Sequence, residues 1–362
     1  MKTSELFGRR LLRKPVRQGD GFKIGLLLPL SGAMGLVGPS AFACARLACE
    51  TWNDAGGANG SEVRLTVLDA GEDSMMLGDD LEQLLRARQL DALVVLSTTE
   101  VCYRLSRMVD ARVPLVYTPQ FEGDGLPAWV HTIGETPERQ LVPALDWMAD
   151  RYGVRRWYLL GNDYCWPRRS HNAAIAHIRG TGADVVAERY VPLGERDFTA
   201  IIEDIARSRA DVVLVSLIGS DSVHMCRAFG AAGLSDRVLR LSICVEENAL
   251  LGMGHHNTAG MFVSAGYFAT VDSEANGAFK EKYHCRFGDR APVLNSLAQS
   301  VYEGFVHLRR QTQGSVARGQ QHALASVRGK RADAADLRAA PIFMAEAEGL
   351  NMRVIQSLAG AL

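Results

Sequence analysis

The residues best suited to chemistry in this sequence lie in six short polar turns, each directly after an apolar run. They are Ser31-Gly32-Ala33-Met34-Gly35, Ser97-Thr98-Thr99-Glu100, Thr118-Pro119-Gln120-Phe121-Glu122, Gly161-Asn162-Asp163-Tyr164-Cys165-Trp166, Gly219-Ser220-Asp221-Ser222 and Val245-Glu246-Glu247. Carboxylates and hydroxyls accept hydrogen bonds from N–H groups, hydroxyls also donate to a carbonyl or carboxylate, and aromatic rings exclude water. Together they suit a small neutral or zwitterionic ligand. Helix N-termini that follow such turns add free backbone N–H groups. At any single position a Ser, Thr or Asp also serves as an ordinary helix N-cap. Tyr164 and Trp166 have no capping role, and the competing explanation for them is plain packing.

Signatures of catalysis are absent from the sequence. The spacing Gly32-x-x-Gly35-x-x-Gly38 departs from the G-x-G-x-x-G of dinucleotide-binding turns, and there is no G-x-x-x-x-G-K-[ST], G-x-S-x-G or H-E-x-x-H. His171 and His177 are too far apart on one helix to share a metal ion, and His255-His256 reads as a surface turn. Cys44, Cys49, Cys102, Cys165, Cys226, Cys244 and Cys285 form no C-x-x-C pair. They read as free thiols in a reducing compartment. The expectation is binding without catalysis, with no cofactor and no metal.

Between the turns the chain alternates short apolar runs with stretches of helical period, the pattern of an α/β protein with a parallel sheet covered on both faces. Strands are expected at 22–30, 63–70, 92–96 and 114–117, with an extended piece at 129–133, and helices at 39–53, 74–89 and 101–111. Asp54-Ala55-Gly56-Gly57 ends the first helix with residues that tolerate positive φ. A second cycle follows Gly134, with helices at 138–152, 167–179, 198–209 and 220–230 and strands at 156–160, 184–190, 211–217, 238–243 and 261–265. Helices at 274–287 and 295–310 come next, then a polar stretch at 311–340 and a hairpin of 342–347 with 352–356.

At 362 residues the chain is long enough for two domains. Apolar residues make up 47% and charged residues 22%, a balance that permits packed cores. The net charge of −1 supplies no field to attract nucleic acid, and no apolar run is long enough to span a bilayer. Residues 1–21 form a basic arm bearing Arg9, Arg10, Arg13, Lys14 and Arg17. The apolar stretch after it is broken by Pro29, Ser31 and Gly32, and cleavage there would delete the first strand. The arm is therefore read as no export signal, which places the protein in the cytoplasm, with the periplasm as the alternative.

At these same residues the chain resembles the type I solute-binding proteins for urea and short-chain amides, a family that includes a cytoplasmic amide sensor. The matching stretches are Ile24-Gly25-Leu26-Leu27-Leu28-Pro29-Leu30-Ser31-Gly32, Trp52-Asn53-Asp54-Ala55-Gly56-Gly57, Pro114-Leu115-Val116-Tyr117 with Phe121-Glu122-Gly123, and Ala210-Asp211-Val212-Val213. The most specific is Gly161-Asn162-Asp163-Tyr164-Cys165-Trp166-Pro167-Arg168, and Ala259-Gly260 followed by Tyr267-Phe268 continues the likeness. The resemblance implies two similar doubly wound parallel-sheet lobes, 22–134 with 268–340 and 135–267 with 341–362. The chain would cross between them about three times, near Ile133, Tyr267 and Ala340. It also implies a ligand in the cleft, an amide, urea or amino acid, held by hinge closure.

Carried onto this sequence, the resemblance makes Tyr117, Tyr164 and Trp166 ligand-facing. With the turn residues, the candidate site becomes Ser31, Thr98, Thr99, Glu100, Tyr117, Thr118, Tyr164, Trp166, Asp221, Glu246 and Tyr267. Thr98, Thr99 and Glu100 stand where the family often presents a Ser, and a carboxylate there favours amide N–H groups or an ammonium. Two roles follow. The first is a cytoplasmic sensor whose closed form is read by a regulatory protein. The alternative is the solute-binding component of an ABC transporter, which docks on a permease.

Overall fold

The computed structural model describes residues 21–71, 74–122, 125–313, 324–328 and 340–359. In the first half, β1 (Phe22–Leu28), β2 (Val63–Asp69), β3 (Ala92–Val95), β4 (Leu115–Tyr117) and β5 (Val130–Thr132) alternate with α1 (Gly38–Asp54), α2 (Ser74–Arg86) and α3 (Thr99–Val109). The strands form a parallel sheet in the order β2-β1-β3-β4-β5. β1 and β3 are apolar almost throughout because helices cover both faces of the sheet. One face packs with Trp52, Phe305 and Tyr283, the other with Leu81, Leu105 and Phe121.

The second unit repeats this plan. It runs α4 (Pro137–Tyr152), β6 (Arg156–Asn162), α5 (Cys165–Gly180), β7 (Asp184–Val191), α6 (Thr199–Ser208), β8 (Val212–Ser216), α7 (Gly219–Ala231), β9 (Leu239–Ser242), α8 (Glu247–Met253) and β10 (Met261–Ala265). α9 (Glu274–Phe287) and α10 (Ser296–Gln313) then pack on α1 of the first unit. The hairpin β11 (Ile342–Glu348) and β12 (Asn351–Ala359) adds antiparallel to β10, so the second sheet reads β12-β11-β10-β9-β8-β6-β7. The two sheets confirm the expected doubly wound α/β lobes, with one departure: the second is mixed rather than wholly parallel. α8 has no counterpart in the sequence reading, because its seven residues are too few to show a period. The basic arm at 1–20 and most of the polar stretch at 311–340 lie outside the described residues.

The chain passes from the first sheet to the second between β5 and α4, returns between β10 and α9, and passes again between α10 and β11. A buried ion pair ties these passages together. Arg328 Nη1 donates to Glu135 Oε1 at 3.0 Å, and Nη2 to the Ser296 carbonyl at 2.6 Å. The Arg328 guanidinium also donates to Gln299 and lies 5.7 Å from the Tyr267 ring centroid. A Cβ on Gly266 would fall 2.3 Å from Glu135 Oε1, so that passage needs the missing side chain.

Candidate functional site

In both sheets the strand order reverses beside the first strand, at β1/β3 and β6/β8, and the turns after those four strands mark where a doubly wound sheet leaves its crevice. The structure brings these turns together in pairs. Ser220 donates its backbone N–H to the Ala33 carbonyl at 2.9 Å, joining the turn after β8 to the turn after β1. Glu100 Oε1 accepts the backbone N–H of Cys165 at 2.7 Å, joining the turn after β3 to the turn after β6. Gln120 Nε2 donates to the Ile243 carbonyl at 2.8 Å, and Asn248 Nδ2 to the Leu36 carbonyl at 2.6 Å.

Tyr117 and Tyr164 stand on opposite sides of this junction. Tyr117 is buried, donates its hydroxyl to the Ser97 carbonyl at 2.8 Å, and packs edge-on against Phe121 at 5.9 Å. Tyr164 is half-buried and stacks on Trp166 at 6.3 Å. Burial pushes both phenols up, so each stays a neutral hydroxyl. Beside them, Glu122 accepts from Thr99 Oγ1 at 3.2 Å and from the Cys165 thiol across the junction at 3.4 Å. Burial raises the Glu122 carboxyl above its ordinary value. Met34, Leu36, Val37, Ile218, Gly219, Cys244 and Glu246 line a small crevice between the lobes.

The sequence-derived candidates divide on inspection. Thr99, Glu100, Tyr117, Tyr164 and Glu246 line the junction, and Thr98, half-exposed, precedes α3 without a side-chain capping bond. Ser31 Oγ instead donates to Asp69 Oδ2 at 2.6 Å, within the first lobe. Thr118 is wholly buried and donates to the Val95 carbonyl at 3.2 Å, while its methyl lies against Gly304 of α10. Asp221 accepts from Asn162 Nδ2 at 2.7 Å and from the Gly194 N–H at 2.8 Å, so it fixes a loop of the second lobe. Tyr267 donates to Asn276 Oδ1 at 2.9 Å and belongs to the hinge.

Trp166 is only 4% exposed and sits in the core formed with Leu141, Ile218 and Cys244, its Nε1 without a hydrogen-bond partner among the described residues. Glu122, Cys165, Cys244 and Gly219 escaped the candidate set. Glu122, Cys165 and Gly219 lie in the polar turns after the strands, but nothing in their spacing marked them as facing another lobe.

Two sheets that share a five-strand parallel order, three passages and a junction built from the turns of both define a hinged two-lobe receptor. Residues 21–347 match the model for periplasmic binding proteins, and the chain belongs to that family, which consists of ligand-binding receptors rather than enzymes. Among solved structures it is similar to an ABC-transporter solute-binding protein from R. palustris in complex with 4-hydroxybenzoate, with 19% identity and a TM-score of 0.79 over 93% of this chain and 97% of that one. LivJ from Streptococcus pneumoniae, in complex with isoleucine, matches with 15% identity and a TM-score of 0.77 over 92% and 99%. The leucine-binding protein LivK of Thermotoga maritima matches with 15% identity and a TM-score of 0.76 over 93% and 99%. No helix among the described residues is long and apolar enough to cross a membrane.

Proposed function

We propose that this protein is the solute-binding component of an ABC-type importer, which closes its two lobes over a small polar ligand bearing N–H groups: an amide, a urea or an amino acid. The observation that carries this reading is the pairwise meeting of the four strand-end turns, Ala33 with Ser220 and Glu100 with Cys165. A molecule touching both sides stabilises the closed form by its differential affinity for it, and closure is what a permease reads. The neighbours, described as transporter solute-binding proteins, support this role over that of a cytoplasmic sensor, and with it the periplasmic side of a membrane.

Charge supports the ligand class. Carboxyl oxygens of Glu100, Glu122 and Glu246 lie at the junction among the described residues, and they suit N–H donors. Arg328 is occupied by Glu135, Arg168 pairs with Asp163 at 2.6 Å, and Arg169 lies at the exposed rim, 3.4 Å from the Glu122 carbonyl. Thermal-shift screening against acetamide, urea, leucine and benzoate tests the proposal, because a ligand bound only to the folded state raises the melting temperature. An amide, urea or amino acid should raise it. A response to benzoate alone would reject the ligand class, and no response from any of the four would reject the reading of the cleft.

A further inference from the structure

Two backbone N–H groups of the second lobe reach across the junction, and each starts from the first turn of a helix. Cys165 opens α5, and Ser220 is the second residue of α7. The first four N–H groups of a helix have no partner inside it. The Cys165 and Ser220 amides find theirs in the other lobe, at Glu100 Oε1 (2.7 Å) and at the Ala33 carbonyl (2.9 Å).

Two wholly buried side chains join these helix starts. Asn162 is the last residue of β6, and Asp221 follows Ser220 in α7. Asn162 Nδ2 donates to Asp221 Oδ2 at 2.7 Å, and Asn162 Oδ1 accepts the Ile218 N–H at 2.9 Å. One side-chain amide therefore grips the chain on both sides of Gly219 and Ser220. Asp221 Oδ2 also accepts the Gly194 N–H at 2.8 Å, and Ser220 Oγ donates to Asp221 Oδ1 at 3.2 Å. Toward α5, the Tyr164 N–H returns to the Asn162 carbonyl at 2.9 Å, and the Asp163 N–H is held by the Val191 carbonyl at 2.7 Å. These bonds fix the path from Asn162 to Cys165.

We propose that Asn162 and Asp221 are positioning residues for closure: their bond sets the spacing of the Cys165 and Ser220 amides, so that the two cross-lobe bonds form and break as one event. This rests on the reading of the protein as a closing receptor and names what makes closure of that same cleft cooperative. The sheet by itself leaves the spacing loose. β6 and β8 pair only as far as Gly161 and Ser216, and each donor lies four residues further on. On one of these paths stands Gly219, at φ +53°, which has no side chain to restrict its backbone. A buried polar pair whose members satisfy each other supplies the missing restraint, because any other arrangement leaves an acceptor or donor unpaired away from water.

Hydrogen exchange of the full chain with no ligand added, read residue by residue by NMR, tests the bracket. In the wild type the Cys165 and Ser220 amides should be protected to the same extent, because one opening exposes both. Glu100→Ala removes the acceptor of Cys165 alone, yet Ser220 exchange should rise about fivefold, as expected for the loss of one hydrogen bond near solvent. In an Asp221→Ala background the same Glu100→Ala change should leave Ser220 exchange unaltered. Asp221→Asn keeps an oxygen for the Asn162 and Gly194 N–H groups and should retain the coupling.

Circular dichroism on the same samples separates a loosened turn from unfolding. Asn162→Ser, too short to reach Asp221, serves if Asp221→Ala folds poorly. Coupling that survives Asp221→Ala, or that is missing from a protected wild type, would overturn the bracket and leave the closing receptor standing. Wild-type amides that exchange as fast as free backbone would overturn the junction itself, and the bracket with it.

Discussion

A Cβ placed on Gly219 would lie 1.8 Å from the carbonyl oxygen of Ala33, which belongs to the other lobe. Gly219 also holds φ +53°, where an L side chain is strained. Its neighbour Ser220 hydrogen-bonds that same carbonyl, so the closest approach of the lobes depends on a missing side chain. Gly219→Ala should keep each lobe folded yet block closure. Its ligand affinity should fall at least tenfold, or about 1.4 kcal/mol, and scattering should show no compaction on addition of a ligand that compacts the wild type.

Glu100 forms the second bridge, to the Cys165 N–H, from an exposed position. One charge-assisted hydrogen bond near solvent contributes on the order of 1 kcal/mol to closure. Glu100→Ala should therefore weaken binding about fivefold by calorimetry, with little change in melting temperature.

Tyr164 and Trp166 separate into different roles despite their stacking. Tyr164→Ala should lower ligand affinity by about 1 to 3 kcal/mol through lost burial and stacking, with a small stability cost. Trp166→Ala should instead destabilise the protein by about 3 to 5 kcal/mol in denaturant titration, because it empties a core site.

Much of this was legible in the sequence. The alternation of apolar runs and helical periods located β1 through β10, since buried parallel strands read as continuous apolar segments. The rule that crevices follow strand ends selected turns that the structure brings together in pairs. Side-chain direction was not legible. Thr118 and Tyr117 are adjacent, yet strand alternation sends Thr118 toward α10 and Tyr117 to the opposite face of the sheet. Arg328 and Glu135 are 193 residues apart, and no local pattern pairs them.

The hinge ion pair should resist single substitution poorly. Removing one partner leaves a buried uncompensated charge, so Glu135→Gln or Arg328→Met should each cost about 3 to 5 kcal/mol in chemical denaturation. The double variant should recover part of that loss.

His171 is wholly buried, its Nε2 is 3.2 Å from Ser216 Oγ, and burial lowers its pKa to about 3. The unfolded chain protonates near the ordinary value of about 6.5, so stability is lost as pH falls below that value, by about 2 kcal/mol at about pH 5. Denaturation midpoints measured at both pH values should show the loss, and His171→Asn should reduce it.

The most direct test of the account is the position of a bound ligand in a crystal structure of the complex. It should lie between Tyr117 and Tyr164 and touch residues of both lobes. Density on the outer face of a single lobe, with the junction unoccupied, would contradict the account.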